Sequence, residues 1–304
     1  MELAGSAPAR ASETGQTRPA VDVVVPFHGT ANELAELRER LAGLRLRDGD
    51  SLTVVDNRAD AASARFGERR RVLGAPALQS SYFARNAGAA GGRAAWLLFL
   101  DADTEPPAGL IDSYFTAPPG PHTAVLAGGV RDVPLHRSAR PTLAERYASI
   151  CSLMSQQNTL RGERGYAQTA NCAVLREAFE EAGGFEPAVR SGGDADLCFR
   201  LRERGWEIEP REAAAVLHHS RSTLRGFLRQ RARYGAGAAW LAERHPGSFE
   251  AVPLRNLMVW TAKCALRGLR ALARGRRDEA IVCLFDPAGM WALELGRRRG
   301  SNAA

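Results

Sequence analysis

Residues 97–103 read Leu-Leu-Phe-Leu-Asp101-Ala-Asp103. A short apolar run ends in two carboxylates one residue apart. Such a run fits a strand buried in an α/β sheet, and ligands of open α/β sheets bind beyond the carboxyl ends of the strands. Two aspartates there suit a hard divalent cation, which takes oxygen ligands and shares them with substrate phosphates. Thr104-Glu105-Pro106-Pro107 follows, so the same carboxylates also suit a helix N-cap.

Two other stretches could do chemistry. Gly192-Gly193-Asp194-Ala195-Asp196-Leu197 opens a helix that Gly205 would stop. Asp194 there is either a dipole-stabilised cap or a reactive carboxylate. An expected strand over 212–217 delivers His218-His219, a pair that is either ordinary or ligating. Two nucleotide fingerprints are missing. No GxxxxGK[ST] occurs, and the first strand runs into Phe27-His28-Gly29-Thr30 rather than GxGxxG. A P-loop and a dinucleotide-binding domain are both disfavoured.

Alternating elements would position these residues. Apolar runs predict strands over 21–27, 52–55, 96–100 and 123–130. A leucine stripe (Leu34, Leu37, Leu41, Leu44) predicts a helix over 32–44, and 82–90 reads as another. This order implies an α/β fold with a mostly parallel, Rossmann-like sheet and flanking helices. Three strand ends carry polar groups: Pro26-Phe27-His28, Asp56-Asn57 and Asp101-Ala102-Asp103.

Residues 1–20, rich in Ala, Ser, Thr, Gly and Pro, read as a disordered leader and not a signal peptide. The five cysteines are scattered without a CxxC pair, which argues against a disulfide framework or a zinc site and fits a reducing, cytoplasmic compartment. The 41 basic and 34 acidic residues give a net charge of +7. Residues 252–304 hold ten Lys or Arg against four Asp or Glu, so most of the excess sits there. Two helices are expected, over 252–275 and 278–299. The longest apolar candidate for a membrane span, 280–295, is short of the ~18–20 residues needed and is interrupted by Asp286-Pro287. Basic charge among Leu and Trp suits a helix lying on an anionic membrane at its inner face, or equally a helical lid on the catalytic domain. The basic residues lack interleaved aromatics, and a nucleic-acid partner is disfavoured.

Taken in order, these pieces resemble the family 2 glycosyltransferases of GT-A fold. They are Val-Val-Val-Pro26-Phe, Val-Val-Asp56-Asn57, Ala84-Arg85-Asn86-Ala87-Gly88, Phe-Leu-Asp101-Ala-Asp103, Gly183-Gly184-Phe185, Gly193-Asp194-Ala195-Asp196-Leu197 and His218. The likeness spans residues 21–234. It implies a catalytic domain over 21–245, with a nucleotide-sugar half (21–130) and an acceptor half (131–245), then a basic helical extension over 246–304.

By the resemblance, Pro26, Asp56, Arg85, Asn86 and Asp101 bind the nucleotide sugar, with Asp56 on the base and leaning to a uridine nucleotide. Asp103 and His218 hold Mg²⁺ or Mn²⁺, His218 being preferred to His219 for its spacing to Ser220-Arg221-Ser222-Thr223. Asp194 is the catalytic base of an inverting transfer. Asp196, Gln230 and Arg233 fall on the acceptor or diphosphate side. The last two belong to Gln230-Arg231-Ala232-Arg233-Tyr234, which looks like a relaxed QxxRW motif and equally like the basic face of a solvated helix. The acceptor would be a sugar, a lipid-linked sugar or a small molecule.

The sequence departs from the commoner pattern at Gly193, where many members carry Glu, and at His28, where Asn is frequent. Two rival classes were weighed. A sugar-phosphate nucleotidyltransferase would need a glycine-rich loop after the first strand, which 26–29 does not supply. A non-catalytic nucleotide-sugar binder is opposed by the retention of Asp101, Asp103 and Asp194.

Overall fold

A computed structural model of the chain describes residues 18–135, 140–162, 164–300 and 302–303. Residues 1–17 of the expected leader lie outside that set. Arg18 already belongs to the fold. Its guanidinium is buried and reaches Asp50 at 2.6 Å and Asp112 at 2.7 Å.

The chain opens with β1 (Val21–Phe27), α1 (Ala31–Ala42) and β2 (Ser51–Asp56), followed by a hairpin of β3 (Ala64–Gly67) and β4 (Arg70–Gly74). Next come α2 (Ser81–Ala90), β5 (Trp96–Leu100), the two-residue β6 (Thr104–Glu105), α3 (Leu110–Tyr114) and β7 (Thr123–Val133). The second half carries α4 (Leu143–Cys151), α5 (Gln156–Leu160), β8 (Asn171–Leu175), α6 (Arg176–Glu181), α7 (Gly193–Glu203) and β9 (Glu207–His219). Three long helices close it: α8 (Leu224–Arg244), α9 (Leu254–Ala273) and α10 (Arg277–Arg299).

The nine strands form one sheet in the order β3-β4-β2-β1-β5-β8-β7-β9-β6. Strands β4, β2, β1 and β5 are mutually parallel, as the alternation predicts. Beyond β5 the sheet is mixed. Strand β8 runs antiparallel to both β5 and β7, β9 is parallel to β7, and β6 is antiparallel to β9. The expectation of a mostly parallel sheet therefore describes the first half only.

Strands β1 and β5 have cores on both faces. Val21, Val23, Val25 and Leu98, Leu100 pack on one side, and Val24, Leu97 and Phe99 on the other. Period-two alternation between two buried faces produces the continuous apolar runs seen in the sequence. Helix α2 lies directly on β1 and β2 at Gly88, where a Cβ would collide with Val24 and Val55. Helix α10 continues through Pro287. Asp286, which breaks the apolar run of that segment, accepts a 2.5 Å hydrogen bond from the Tyr147 hydroxyl of α4. Among the described residues no helix is long and apolar enough to cross a membrane.

Candidate active site

A cavity of about 1140 Å³ opens at the carboxyl ends of the parallel strands. The floor carries Pro26 at the end of β1 and His28 just after it, Asp101 and Asp103 after β5, and Tyr82 and Arg85 from α2. The opposite wall is built by Tyr166, Gln168 and Thr169, by Asp194 at the start of α7, and by Arg231, Arg233 and Tyr234 of α8. The two aspartates cap no helix, since the next residues form β6.

Pairing of β6 with β9 sets Thr104 opposite His218, and pairing of β7 with β9 sets Asp132 opposite the same histidine. Three strands thus converge on one imidazole. His218 Nδ1 donates to Asp132 Oδ1 at 3.1 Å, and Nε2 faces Asp103 Oδ2 at 3.6 Å. Burial alone would lower the basicity of this ring. The two carboxylates outweigh it and hold the pKa at about 10. Burial would likewise raise the Asp103 pKa, yet His218 and Arg221 keep it below the usual carboxylate range. His219 turns to Glu105, 2.8 Å from Nε2, and lines the cavity.

An oxygen and an imidazole nitrogen 3.6 Å apart, the imidazole steered by a second carboxylate, become a donor set for a divalent cation once the cation displaces the Nε2 proton. Among the described residues no three His, Cys, Asp or Glu cluster as a complete protein-only metal site. A cation there would rely on substrate oxygens as well, as Mg²⁺ usually does.

Asp101 is clamped by Arg85 Nη2 at 2.5 Å. That guanidinium is buried, lies 5.3 Å from the Tyr82 ring, and keeps its Nε without a hydrogen-bond partner. Asp194 starts α7 after Gly192, whose φ of 89° requires glycine. Its Oδ1 accepts from the Ala195 amide at 3.0 Å and from the Tyr82 hydroxyl at 3.4 Å. Desolvation raises the Asp194 pKa, and Arg85 only partly opposes it. Gly193 is explained by the same tyrosine: a Cβ there would meet the Tyr82 ring at 2.8 Å.

Four of the assigned residues have side chains engaged by other parts of the protein. Asp196 is fully buried and faces away from the cavity. It is held by Arg200 (2.8 Å), Arg244 (2.7 Å) and His245 (2.9 Å), so it anchors α7 to α8. Asn86 clamps the backbone of Phe185, donating to its carbonyl at 2.8 Å and accepting from its amide at 3.0 Å. Asp56 ends β2 beside Phe27, but it is 1 % exposed and its carboxylate is occupied by Arg58 at 2.6 Å. Gln230 donates to the Tyr234 hydroxyl at 3.0 Å and does not line the cavity, whereas Arg233 does. In each case the residue lies near the site, and its side chain is already engaged by protein.

Tyr82 carries no signal of its own in the sequence, and Arg231 and Tyr234 stand there only as members of the Gln230–Tyr234 motif. Only their position beside Arg85 and Arg233 could have flagged them, because aromatic and basic types on a helix more often serve packing or solubility.

A cavity lined by Asp101, Asp103, Asp194 and Arg85 thus lies at the strand ends of a mixed α/β sheet. The model of glycosyl transferase family group 2 matches residues 96–276, and the chain belongs to that family. It is 30% identical over 275 residues to the pre-mycofactocin glycosyltransferase of Mycobacterium tuberculosis, covering 86% of this chain and 56% of that protein. The chain therefore spans little more than half the length of that relative. It is 24% identical over 238 residues to the glycosyltransferase AglE of Haloferax volcanii, covering 75% of this chain and 76% of the relative. The mannosyltransferase PcManGT of Pyrobaculum calidifontis, solved with GDP-Man and Mn²⁺, superposes with a TM-score of 0.61 at 15% identity, covering 93% of this chain and 88% of that one. The fold is that of the GT-A glycosyltransferases.

Proposed function

We propose that the chain transfers a sugar from a nucleoside-diphosphate sugar to an acceptor hydroxyl by a single displacement that inverts the anomeric carbon. The observation that carries this reading is that Asp103, 3.6 Å from the buried His218, and a desolvated carboxylate, Asp194, line one cavity. The acceptor oxygen bonds to the anomeric carbon as the bond from that carbon to the diphosphate oxygen breaks. The bonding electron pair leaves on the diphosphate, and the acceptor proton passes to Asp194. A carboxylate whose proton affinity is raised by burial is a better base than one in water.

Asp103 and His218 would hold a Mg²⁺ or Mn²⁺ ion, which supplies Lewis-acid neutralisation of the diphosphate charge. PcManGT was solved with Mn²⁺ and a nucleotide sugar, which supports this assignment. Arg85 orients Asp101 toward the donor and adds positive charge beside the departing phosphates. Pro26 and His28 border the donor's nucleotide end. Arg233 lies on the diphosphate or acceptor side. The opposite wall, with Tyr166, Gln168 and Thr169, would receive a sugar, lipid-linked or small-molecule acceptor.

Thermal-shift titration with a panel of nucleotide sugars and Mn²⁺ tests the reading, because a ligand that binds only the folded state raises the melting temperature by mass action. A donor that stabilises the wild type should fail to stabilise Asp103→Ala, and donor turnover should fall with it. Equal stabilisation and turnover in both proteins would refute the proposed site.

A further inference from the structure

The proposed chemistry leaves one large feature unused, the outward side of α9. This helix runs Leu254–Ala273 and contains no acidic residue. Its inner side is buried through Leu257, Cys264, Gly268 and Ala271. On the outer side Leu254, Met258, Val259, Leu266, Leu269 and Leu272 are all exposed, from 38% to 65%. With ~100° per residue, these six fall within an arc of about 140° that does not overlap the buried side. Lys263, Arg267 and Arg270 occupy the strip next to that arc, between it and the buried face. The helix therefore has one side packed on the protein, one open and mainly apolar side that Arg255 interrupts in its first turn, and one basic strip.

Six large apolar side chains on one exposed helix face need an occupant, since scattered single residues are ordinary but a contiguous patch is not. The adjoining charge decides which occupant. The strip has no acidic residue from its own helix, and although Arg267 lies 3.8 Å from Glu279 of α10, its net positive charge repels a second copy of the same surface and complements an anionic one. A helix with a large apolar face, flanking Lys and Arg, and too little apolar length to span lies in the plane of a bilayer interface.

We propose that α9 docks the protein on an anionic lipid bilayer, with its leucine face in the headgroup–acyl boundary and Lys263, Arg267 and Arg270 against acidic headgroups. The surface is independent of the cavity residues, so the proposal stands or falls separately from the transfer reaction.

Vesicle flotation with the full chain tests it, using phosphatidylcholine vesicles with and without about one-third phosphatidylglycerol. The wild type should float with the anionic vesicles and remain behind with pure phosphatidylcholine, and raised salt should weaken binding. Leu266→Glu/Leu269→Glu should abolish flotation. Arg267→Gln and Arg270→Gln should each weaken it roughly fivefold and reduce its salt dependence. Light scattering on the same samples checks the competing occupant. Each variant's melting temperature and donor-induced thermal shift should match the wild type, which separates loss of docking from misfolding and from failure of the proposed transferase site. No flotation of the folded wild type, unchanged flotation of the double variant, or a stable dimer that the double variant dissolves would overturn the proposal.

Discussion

Asp194 sits where hydration is lost, with the Ala195 amide and the Tyr82 hydroxyl donating to its Oδ1. That setting raises its pKa above the ordinary carboxylate value near ~4. Two consequences follow with opposite signs for activity and stability. A base must be ionised, so kcat/KM should fall on acidification with a limb displaced to higher pH than for a solvated aspartate. Replacement by Asn should lower the rate by about 10²–10⁴-fold while donor-induced thermal stabilisation persists. Folding, by contrast, favours the protonated form. Its stabilisation is complete below the unfolded pKa and is lost as pH rises through the higher folded one. Asp194→Asn should therefore melt higher than the wild type at pH 8, with the difference shrinking toward pH 4. Melting curves across that range would refute the idea if the gap were constant or reversed.

Asp196, two residues on, is the contrasting case. Its pKa is depressed: burial opposes ionisation, but His245, Arg200 and Arg244 outweigh it. Asp196→Ala should cost about 3 kcal/mol, because it strands positive groups packed around a fully buried site. Urea denaturation measures that loss, and turnover per folded molecule should change little. Residue types in a sequence reveal where acids and bases are, but not whether protein or solvent completes their bonding. Asp103 and Asp194 were legible because they terminate or open an element at the strand ends. Asp56, Asn86 and Asp196 occupy the same motifs, and their partners Arg58, Phe185 and Arg244 could be identified only after folding.

At the scale of elements, periodicity located what is regular. Strands β1, β2 and β5 and helices α1 and α2 match their expected spans within one or two residues, since each has one clear apolar pattern. Strand β8 escaped notice because 171–175 is short and follows a polar loop, and it derives its order from Asn171. That side chain accepts from the Tyr114 hydroxyl at 2.7 Å and donates to the carbonyls of Gly129 and Ala214, linking three strands. Helix α2 offers a sharper test of element packing. Gly88→Ala gains about 1 kcal/mol of helix propensity, while overpacking against Val24 and Val55 costs about 1–3 kcal/mol. The clash should win, lowering stability by up to about 2 kcal/mol in denaturant unfolding. Arg85 lies one turn earlier on the same helix, so donor affinity should weaken as well. A variant as stable and as tight-binding as the wild type would show that α2 can lift off the sheet without cost.

At the scale of the whole molecule, the segment after residue 245 packs closely on the rest of the chain. Helix α10 packs along α8, and Phe285 stacks on Tyr147 at 5.0 Å and meets Phe227 at 5.7 Å. Arg297 donates to the Phe249 carbonyl at 2.7 Å. Farther on, Asn302 donates to the Ser191 carbonyl at 2.9 Å and accepts from the Arg190 amide at 3.0 Å. Residues 190 and 191 lead directly into Gly192 and Asp194, so the C-terminal segment braces the loop that aims the proposed base. Two truncations separate these roles. Removing 246–304 bares the aromatic cluster around Phe227 and should leave an aggregating chain. Removing 300–304 keeps α10 but releases 190–191. Melting temperature should then fall only slightly, while kcat drops several-fold and the thermal shift with donor is retained, because the donor side of the cavity is held by β1, β5 and α2. If the shorter truncation left kcat unchanged, the brace would be structural and Asp194 would be aimed by α7 alone.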